Sequence, residues 1–113
     1  VIKEVDVYDF ESGEWRTLAS PAGDIPTPRA GTMALAVGQQ VLVIGGESAR
    51  KQAHVEVEAL DLDSETWSPW PKLNQGRHAT QPVSHGGAIY LQAGSVTRGG
   101  TETNTLTHLP LRK

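Results

Sequence analysis

The 113-residue chain has no cysteine, and this absence removes several kinds of chemistry. Without thiols the chain can form no disulfide framework, no thiolate nucleophile and no cysteine-ligated zinc site. It also lacks any apolar run near the roughly 20 residues of a membrane span, and any long stretch with helical 3.6-residue periodicity. No signal peptide is recognisable, and the start at Val1 rather than Met suggests a processed product or a piece cut from something longer. The chain is expected to be soluble, and its compartment is unknown.

An excess of basic charge is lacking as well. The net charge is −3 and the sequence pI is about 5.7, which argues against nucleic acid as a partner because phosphate binding favours a basic face. What the chain does have is turn-forming residues, with 12 Gly and 7 Pro among frequent Val, Thr and Leu. This composition predicts many short strands joined by turns.

Two segments of the sequence match each other at a fixed distance. YDFESGEW at positions 8–15 and LDLDSETW at positions 60–67 share a β-former, Asp, an apolar residue, an acid, Ser and a closing Trp. The equivalent residues are Asp9 and Asp61, Ser12 and Ser64, and Trp15 and Trp67, all offset by 52. The match predicts an internal structural repeat.

A second pair of segments supports the same conclusion. PRAGTMALAVGQQVLVIGG at positions 28–46 matches GRHATQPVSHGGAIYLQAG at positions 76–94 with an offset of 48. The difference of four between the two offsets falls in one loop, between Trp and Arg, as expected for a repeat whose loops vary in length. A period near 50 fits four short strands per unit, here a at 31–37, b at 41–45, c at 54–62 and d around Trp67.

The order Pro-Arg-x-Gly, an apolar strand ending in Gly-Gly, and a strand entering Asp-x-x-(Ser/Thr)-x-x-Trp resembles the kelch repeat. The resemblance implies an all-β fold of four-stranded antiparallel propeller blades, present here as a partial propeller of about two and a quarter repeats. It divides the chain into the end of one blade (1–20), a complete repeat (27–70) and an incomplete final blade (75–113). The last unit departs from the pattern, with Ala93 before Gly94, Gly76 before Arg77, and Pro110 where an Asp is expected.

So few blades cannot close into a ring, and open blades expose apolar faces and strand edges. The chain is therefore expected to be a piece of a longer propeller, or to associate with other copies of itself. A final blade with strands a, b and c but no d is similar to blades completed by a strand from the beginning of the chain. This interpretation places LPLRK (109–113) at or near a native C-terminus.

Several repeated residues are predicted to serve the blade rather than a ligand. The diglycine fits no phosphate-binding loop, because neither a Gly-x-Gly-x-x-Gly pattern nor a Lys-Ser/Thr pair follows it. Glycine there lets the backbone adopt positive φ and lets neighbouring groups approach closely. The two repeated tryptophans are expected in the core between blades. The predicted structural residues are Asp9, Trp15, Gly45, Gly46, Asp61, Trp67 and Gly94.

Arg29 and Arg77 stand at the start of strand a in their repeats, where loops gather at one mouth of a propeller. The kelch resemblance implies that a basic residue in this position can face an acidic ligand, and arginine suits this because it binds carboxylates through two hydrogen bonds. The alternative is an internal hydrogen bond to a blade carbonyl or acid, since the arginine recurs with the repeat.

Further candidates lie in nearby loops. Arg50 and Lys51 in one b–c loop and Arg98 in the next would extend a basic rim, with ordinary solvated charge as the alternative. His78 at the same mouth is the strongest candidate among four histidines, whose spacing fits no metal-ligand motif. Trp70 has no repeat partner, and its position between prolines predicts an exposed contact residue.

These patterns favour a binding scaffold whose loops recognise a protein or peptide. One alternative is part of a kelch-like enzyme acting on sugars, resembling the N-acetylneuraminate epimerases. A second alternative is a structural module that completes its blades by oligomerisation. No catalytic residue, metal or cofactor is predicted, and an enzymatic role is left open but disfavoured. The expected partners are a protein or peptide, together with further blades or another copy of the chain, and neither nucleic acid nor membrane.

Overall fold

The computed structural model describes residues 1–101 and 103–111, and within them every regular element is a β-strand. The strands are β1 (Asp6–Asp9), β2 (Glu14–Thr17), β3 (Met33–Val37), β4 (Gln40–Ile44), β5 (Val57–Asp61), β6 (Trp67–Pro69), β7 (Pro82–His85), β8 (Ala88–Gln92) and β9 (Leu106–Pro110). They form three antiparallel sheets in the orders β1-β2, β3-β4-β5-β6 and β7-β8-β9. The predicted all-β fold of antiparallel blades is confirmed.

Glycines set the tight turns between the strands. Gly38, between β3 and β4, has φ +57°, and Gly86, between β7 and β8, has φ +56°. The left-handed region suits two-residue hairpin loops, whose twist then matches that of the strands. The pairing of Val37 with Gln40 closes the first of these hairpins and fixes the register of the whole β3–β4 ladder.

The main core joins side chains of the four-stranded and three-stranded sheets. Its members are Met33, Leu42, Ile44, Val57, Ala59, Trp70, Leu73, Ile89 and Leu91. Strand β5 is buried on both faces from Val57 to Leu60, which explains its nearly continuous apolar sequence. Each fully buried Leu or Ile contributes about 1.5–3 kcal/mol, so the two sheets stabilise each other through this shared cluster.

The two-stranded sheet differs from the other two because its outer face is open. Tyr8 is 41% exposed, Phe10 is 93% exposed and Trp15 is 70% exposed. Trp15 was expected in a core between blades, but among the described residues its side chain is largely exposed. Trp67, its repeat equivalent, is half-buried and donates from Nε1 to the Gly23 carbonyl at 2.9 Å.

The division into blade segments 1–20, 27–70 and 75–113 stays a prediction about a larger assembly. The predicted C-terminal segment LPLRK ends in residues 112 and 113, which lie outside the described residues.

Candidate functional site

Arg29 lies inside the four-stranded sheet. Its guanidinium carries the largest set of side-chain hydrogen bonds in the described chain, and every nitrogen is used. Nε donates to the Gly45 carbonyl at 2.5 Å, Nη1 donates to Glu58 Oε1 at 2.6 Å, and Nη2 donates to the Val43 carbonyl at 3.0 Å. Nη1 also donates to the Thr27 carbonyl at 2.7 Å. This side chain ties the end of β4 to the beginning of β5.

Arg77 takes the equivalent place in the three-stranded sheet and is 0% exposed. Nη1 donates to the carbonyls of Leu91 at 3.3 Å and Thr105 at 3.1 Å, and Nη2 donates to Thr107 Oγ1. Among the described residues no carboxylate pairs with it, and Nε has no hydrogen-bond acceptor. Burial lowers the pKa of the Arg77 guanidinium, because a charged group loses hydration there.

Neither arginine therefore stands on an exposed rim. Their contacts favour the internal role that the sequence left open, in which each guanidinium fastens neighbouring strands of its own sheet.

Trp70, expected to be an exposed contact residue, is only 7% exposed and belongs to the main core. It is held there because its backbone N–H donates to the Val57 carbonyl at 2.8 Å, which extends the sheet beyond β6.

The diglycine brings the two larger sheets together. Gly45 has φ +62° and Gly46 has φ +111°, and the Gly46 N–H donates to the Arg77 carbonyl at 2.8 Å. A Cβ at position 45 would overlap that carbonyl oxygen, and one at position 46 would lie 2.7 Å from the Ala30 carbonyl oxygen. Gly94 repeats the arrangement with φ +86°, and a Cβ there would lie 2.6 Å from the His78 carbonyl oxygen.

The repeated aspartates build matching turns. Asp9 Oδ1 accepts from the Glu11 N–H at 2.8 Å, and Asp61 Oδ1 accepts from the N–H groups of Asp63 and Ser64, both at 2.9 Å. These bonds hold the pKa of the Asp61 carboxyl below its usual value, because they favour the ionised form. Both aspartates therefore act within their own turns.

Three exposed basic residues lie where two loops meet, on a surface that we call the loop face (residues 47–54 and 95–101). Arg50, Lys51 and Arg98 are all exposed there. The Arg98 N–H donates to the Lys51 carbonyl at 2.7 Å, and Arg98 Nη1 donates to the Ala49 carbonyl at 2.6 Å. A further bond of 3.1 Å runs from the Ala53 N–H to the Val96 carbonyl, so the two loops form one continuous surface.

His78 supports this surface from below. The side chain is buried, with Nε2 2.6 Å from the Thr97 carbonyl oxygen and 3.4 Å from Glu47 Oε2. Glu47 Oε2 also accepts from the Gly99 N–H at 2.9 Å. The histidine predicted to meet a ligand thus holds the 95–101 loop in place and is covered by it.

A cluster that the sequence analysis did not single out lies under the 47–54 loop. His54 Nε2 is 2.7 Å from Ser48 Oγ, and His54 Nδ1 is 2.9 Å from Glu56 Oε1, which in turn accepts from Arg50 Nη2 at 3.0 Å. Burial alone would raise the pKa of the Glu56 carboxyl, but the His54 hydrogen bond and the Arg50 charge together hold it below its usual value. The only sequence signal is the His-x-Glu alternation, which places both side chains on one face of an extended segment.

A cleft of about 480 Å³ separates the two-stranded sheet from the four-stranded sheet. Its walls are mostly apolar and are contributed by both sheets, with Val5, Val7, Tyr8, Ile25, Val41, Val43, Leu60, Leu62 and Trp67 among the lining residues.

The described residues contain no cluster of His, Cys, Asp or Glu that would hold a metal ion. Along the same residues, no helix is long and apolar enough to cross a membrane.

Comparison with known proteins identifies the repeat. The family model described as the Kelch motif matches residues 28–74. The chain is 26% identical to the Kelch-like protein terF of Aspergillus terreus, over 91% of this chain and 22% of that protein. It is 29% identical to Kelch-like protein 41b of Danio rerio, over 79% of this chain and 14% of that protein. It is 27% identical to an acyl-CoA-binding domain-containing protein 5 of Arabidopsis thaliana (85% and 14%). The chain thus spans less than a quarter of these relatives. Residues 28–74 match the Kelch motif, and the predicted resemblance is confirmed.

Proposed function

From this kelch repeat, we propose that the chain is part of a binding scaffold whose loop face recognises an acidic protein or peptide. Kelch repeats commonly serve as protein-interaction scaffolds. The observation that carries the proposal is the joining of Arg50, Lys51 and Arg98 on one surface by hydrogen bonds between the 47–54 and 95–101 loops.

The internal contacts of the loops give this surface a defined shape. Hydrogen bonds from Arg98 to the opposite loop fix the spacing of the cations, so little ordering entropy is lost when a partner binds. Arg29, Arg77 and His78 contribute as the framework that positions the loops. Lys51 makes no side-chain ion pair with any described residue, which leaves its charge available to a carboxylate.

The test reverses charge on the loop face. Lys51→Glu combined with Arg98→Glu should weaken binding of a fluorescent poly-glutamate peptide at least about 10-fold, because each lost ion pair becomes a repulsion. Lys72→Glu is the control, since Lys72 is also exposed but lies outside the loop face. Equal loss of binding in the control, or unchanged binding in the double variant, would contradict the proposal.

A second candidate function is assembly through the open face of the two-stranded sheet. Tyr8 packs against Phe10 and Trp15 with ring centroids 5.6 Å and 5.1 Å apart, and this aromatic cluster lies at the surface. Aromatic side chains dominate the energetics of interfaces, so the cluster suits a covering sheet from further blades or from another copy. Light scattering on the chain tests the copy alternative: Trp15→Ser should shift an oligomer towards monomer, whereas a monomeric wild type excludes self-assembly.

A sugar-acting enzyme stays a prediction without a supporting contact in the described part of the chain. Its site would draw on several blades around a central channel.

A further inference from the structure

Ser48, His54 and Glu56 form a hydrogen-bonded chain that none of the proposed binding roles uses. Ser48 is partly exposed on the 47–54 loop, and the buried His54 ring lies beneath it at 2.7 Å. The other ring nitrogen is 2.9 Å from Glu56 Oε1. A hydroxyl on a histidine whose second nitrogen is held by a carboxylate is the arrangement that activates serine nucleophiles.

The protonation pattern of this chain follows from its carboxylate. Glu56 is ionised at neutral pH and can only accept hydrogen bonds, so Nδ1 of His54 carries the ring proton. In the neutral imidazole, Nε2 then presents a lone pair to which the Ser48 hydroxyl donates. The direction of both hydrogen bonds is therefore the one in which the imidazole can take the hydroxyl proton.

The repeat framework does not need the His54 and Glu56 side chains. In the four-stranded sheet the His54 N–H donates to the Gly46 carbonyl at 2.8 Å, and in the three-stranded sheet the Thr103 N–H donates to the Gly94 carbonyl at 3.0 Å. Thr103 is thus the counterpart of His54. Its hydroxyl bonds to that of Thr105 at 2.9 Å, so two threonines satisfy the same framework position without an imidazole or a carboxylate.

We propose that Ser48 is a nucleophile that accepts an acyl group from a carboxylic ester, with His54 as general base and Glu56 as the positioning residue. The Ser48 Oγ–carbon bond forms and the ester carbon–oxygen bond breaks. The Oγ proton passes to His54 Nε2 and from there to the departing oxygen, which leaves as an alcohol. This activity is separate from recognition of acidic partners by the loop-face cations.

The probe is a fluorophosphonate, which reacts with activated serines by the same path: the Oγ–phosphorus bond forms, fluoride leaves and the proton goes to His54. Peptide mapping of the labelled wild-type chain should place the adduct on Ser48. Ser64 is the internal control, because it is an exposed serine bonded to Asp61 and Thr66 without a histidine. Labelling of Ser64 as fast as Ser48 would overturn the proposal without any variant being made.

Variants then test the roles of the partners. His54→Gln should slow labelling of Ser48 by about 100-fold or more, the usual contribution of a general base. Glu56→Gln should slow it too, and Glu56→Asp should restore part of the rate, since only the carboxylate holds the required ring tautomer. Circular dichroism establishes that each variant retains its β structure. Wild-type labelling rates in a folded His54→Gln chain would show that Ser48 is not activated, and the proposal would fail.

Discussion

The four-stranded and three-stranded sheets bury an arginine at the same place but surround it differently. Arg29 meets the Glu58 carboxylate, which also accepts from Thr27 Oγ1 at 2.8 Å. Arg77 meets the neutral hydroxyl of Thr107 instead. The backbone carbonyls that accept from the two guanidiniums are equivalent, so the framework requires the arginine, whereas the carboxylate belongs to one sheet only.

The difference shows how a buried cation is tolerated in this fold. Several carbonyl oxygens converge on each guanidinium and replace part of its lost hydration. In the three-stranded sheet the carbonyl oxygens and the Thr107 hydroxyl are the only compensation among the described residues, and Nε of Arg77 is left without an acceptor. We therefore expect Arg77 to contribute less to the free energy of unfolding than Arg29 does.

The largest predicted effect comes from replacing each arginine by methionine. Arg29→Met leaves the Glu58 carboxylate buried without its guanidinium and should lower the free energy of unfolding by about 3–5 kcal/mol. Arg77→Met removes hydrogen bonds but also a buried cation that has no carboxylate partner among the described residues, so the loss should be only about 1–2 kcal/mol. Urea denaturation followed by tryptophan fluorescence measures both.

Lys72→Met controls for the loss of a surface cation and should change the free energy of unfolding by less than about 0.5 kcal/mol. Equal losses for Arg29→Met and Arg77→Met would show that the carboxylate adds nothing. The comparison between the two sheets would then rest on the carbonyl contacts alone.

A smaller contrast lies at the ends of β4 and β8. Gly45 has φ +62° and its equivalent Ala93 has φ +50°. Gly45→Ala should cost about 2–4 kcal/mol, because the added Cβ overlaps the Arg77 carbonyl oxygen and lies 2.7 Å from Met33 Cε. Ala93→Gly should stabilise the chain by about 0.5–1 kcal/mol, since glycine adopts positive φ without steric cost.

Thermal unfolding of Gly45→Ala and Ala93→Gly, with Gly99→Ala as a further control, measures these effects. The control separates the cost of a positive φ from the cost of close contacts with the added Cβ. Gly99 has φ +81° but nothing within 4 Å of an added Cβ, so it should show the cost of conformation alone. A loss in Gly45→Ala no larger than in Gly99→Ala would mean that the approach of the Arg77 carbonyl is unimportant.

The strand framework was predictable from the sequence because it depends on local patterns. Strands a, b and c were expected at 31–37, 41–45 and 54–62, and the structure has them at Met33–Val37, Gln40–Ile44 and Val57–Asp61. The ends differ by up to three residues because loop contacts decide them. Strand β5 begins late, for example, since the His54 N–H is used to close the 47–54 loop on Gly46.

The environment of individual side chains was less predictable, because it depends on distant parts of the chain. Arg77 is enclosed by carbonyls 14 to 28 residues away, which no local pattern reveals. Trp70 lies between prolines, a loop signal, yet its backbone continues the sheet and turns the ring into the core. The Ser48–His54 contact likewise joins residues whose spacing matches no recognised motif.

The smallest predicted effect concerns pH and the contrast between His54–Glu56 and Thr103–Thr105. The Glu56 carboxyl has a folded-state pKa below its usual value, so its contribution to stability is present above the unfolded pKa and is lost as pH falls through the folded pKa. The threonine pair in the three-stranded sheet has no group that titrates in this range. Glu56→Gln should therefore flatten the fall in unfolding free energy between about pH 6 and pH 3. Parallel slopes for the wild type and Glu56→Gln would show that the carboxylate gains no net stabilisation from its position between His54 and Arg50.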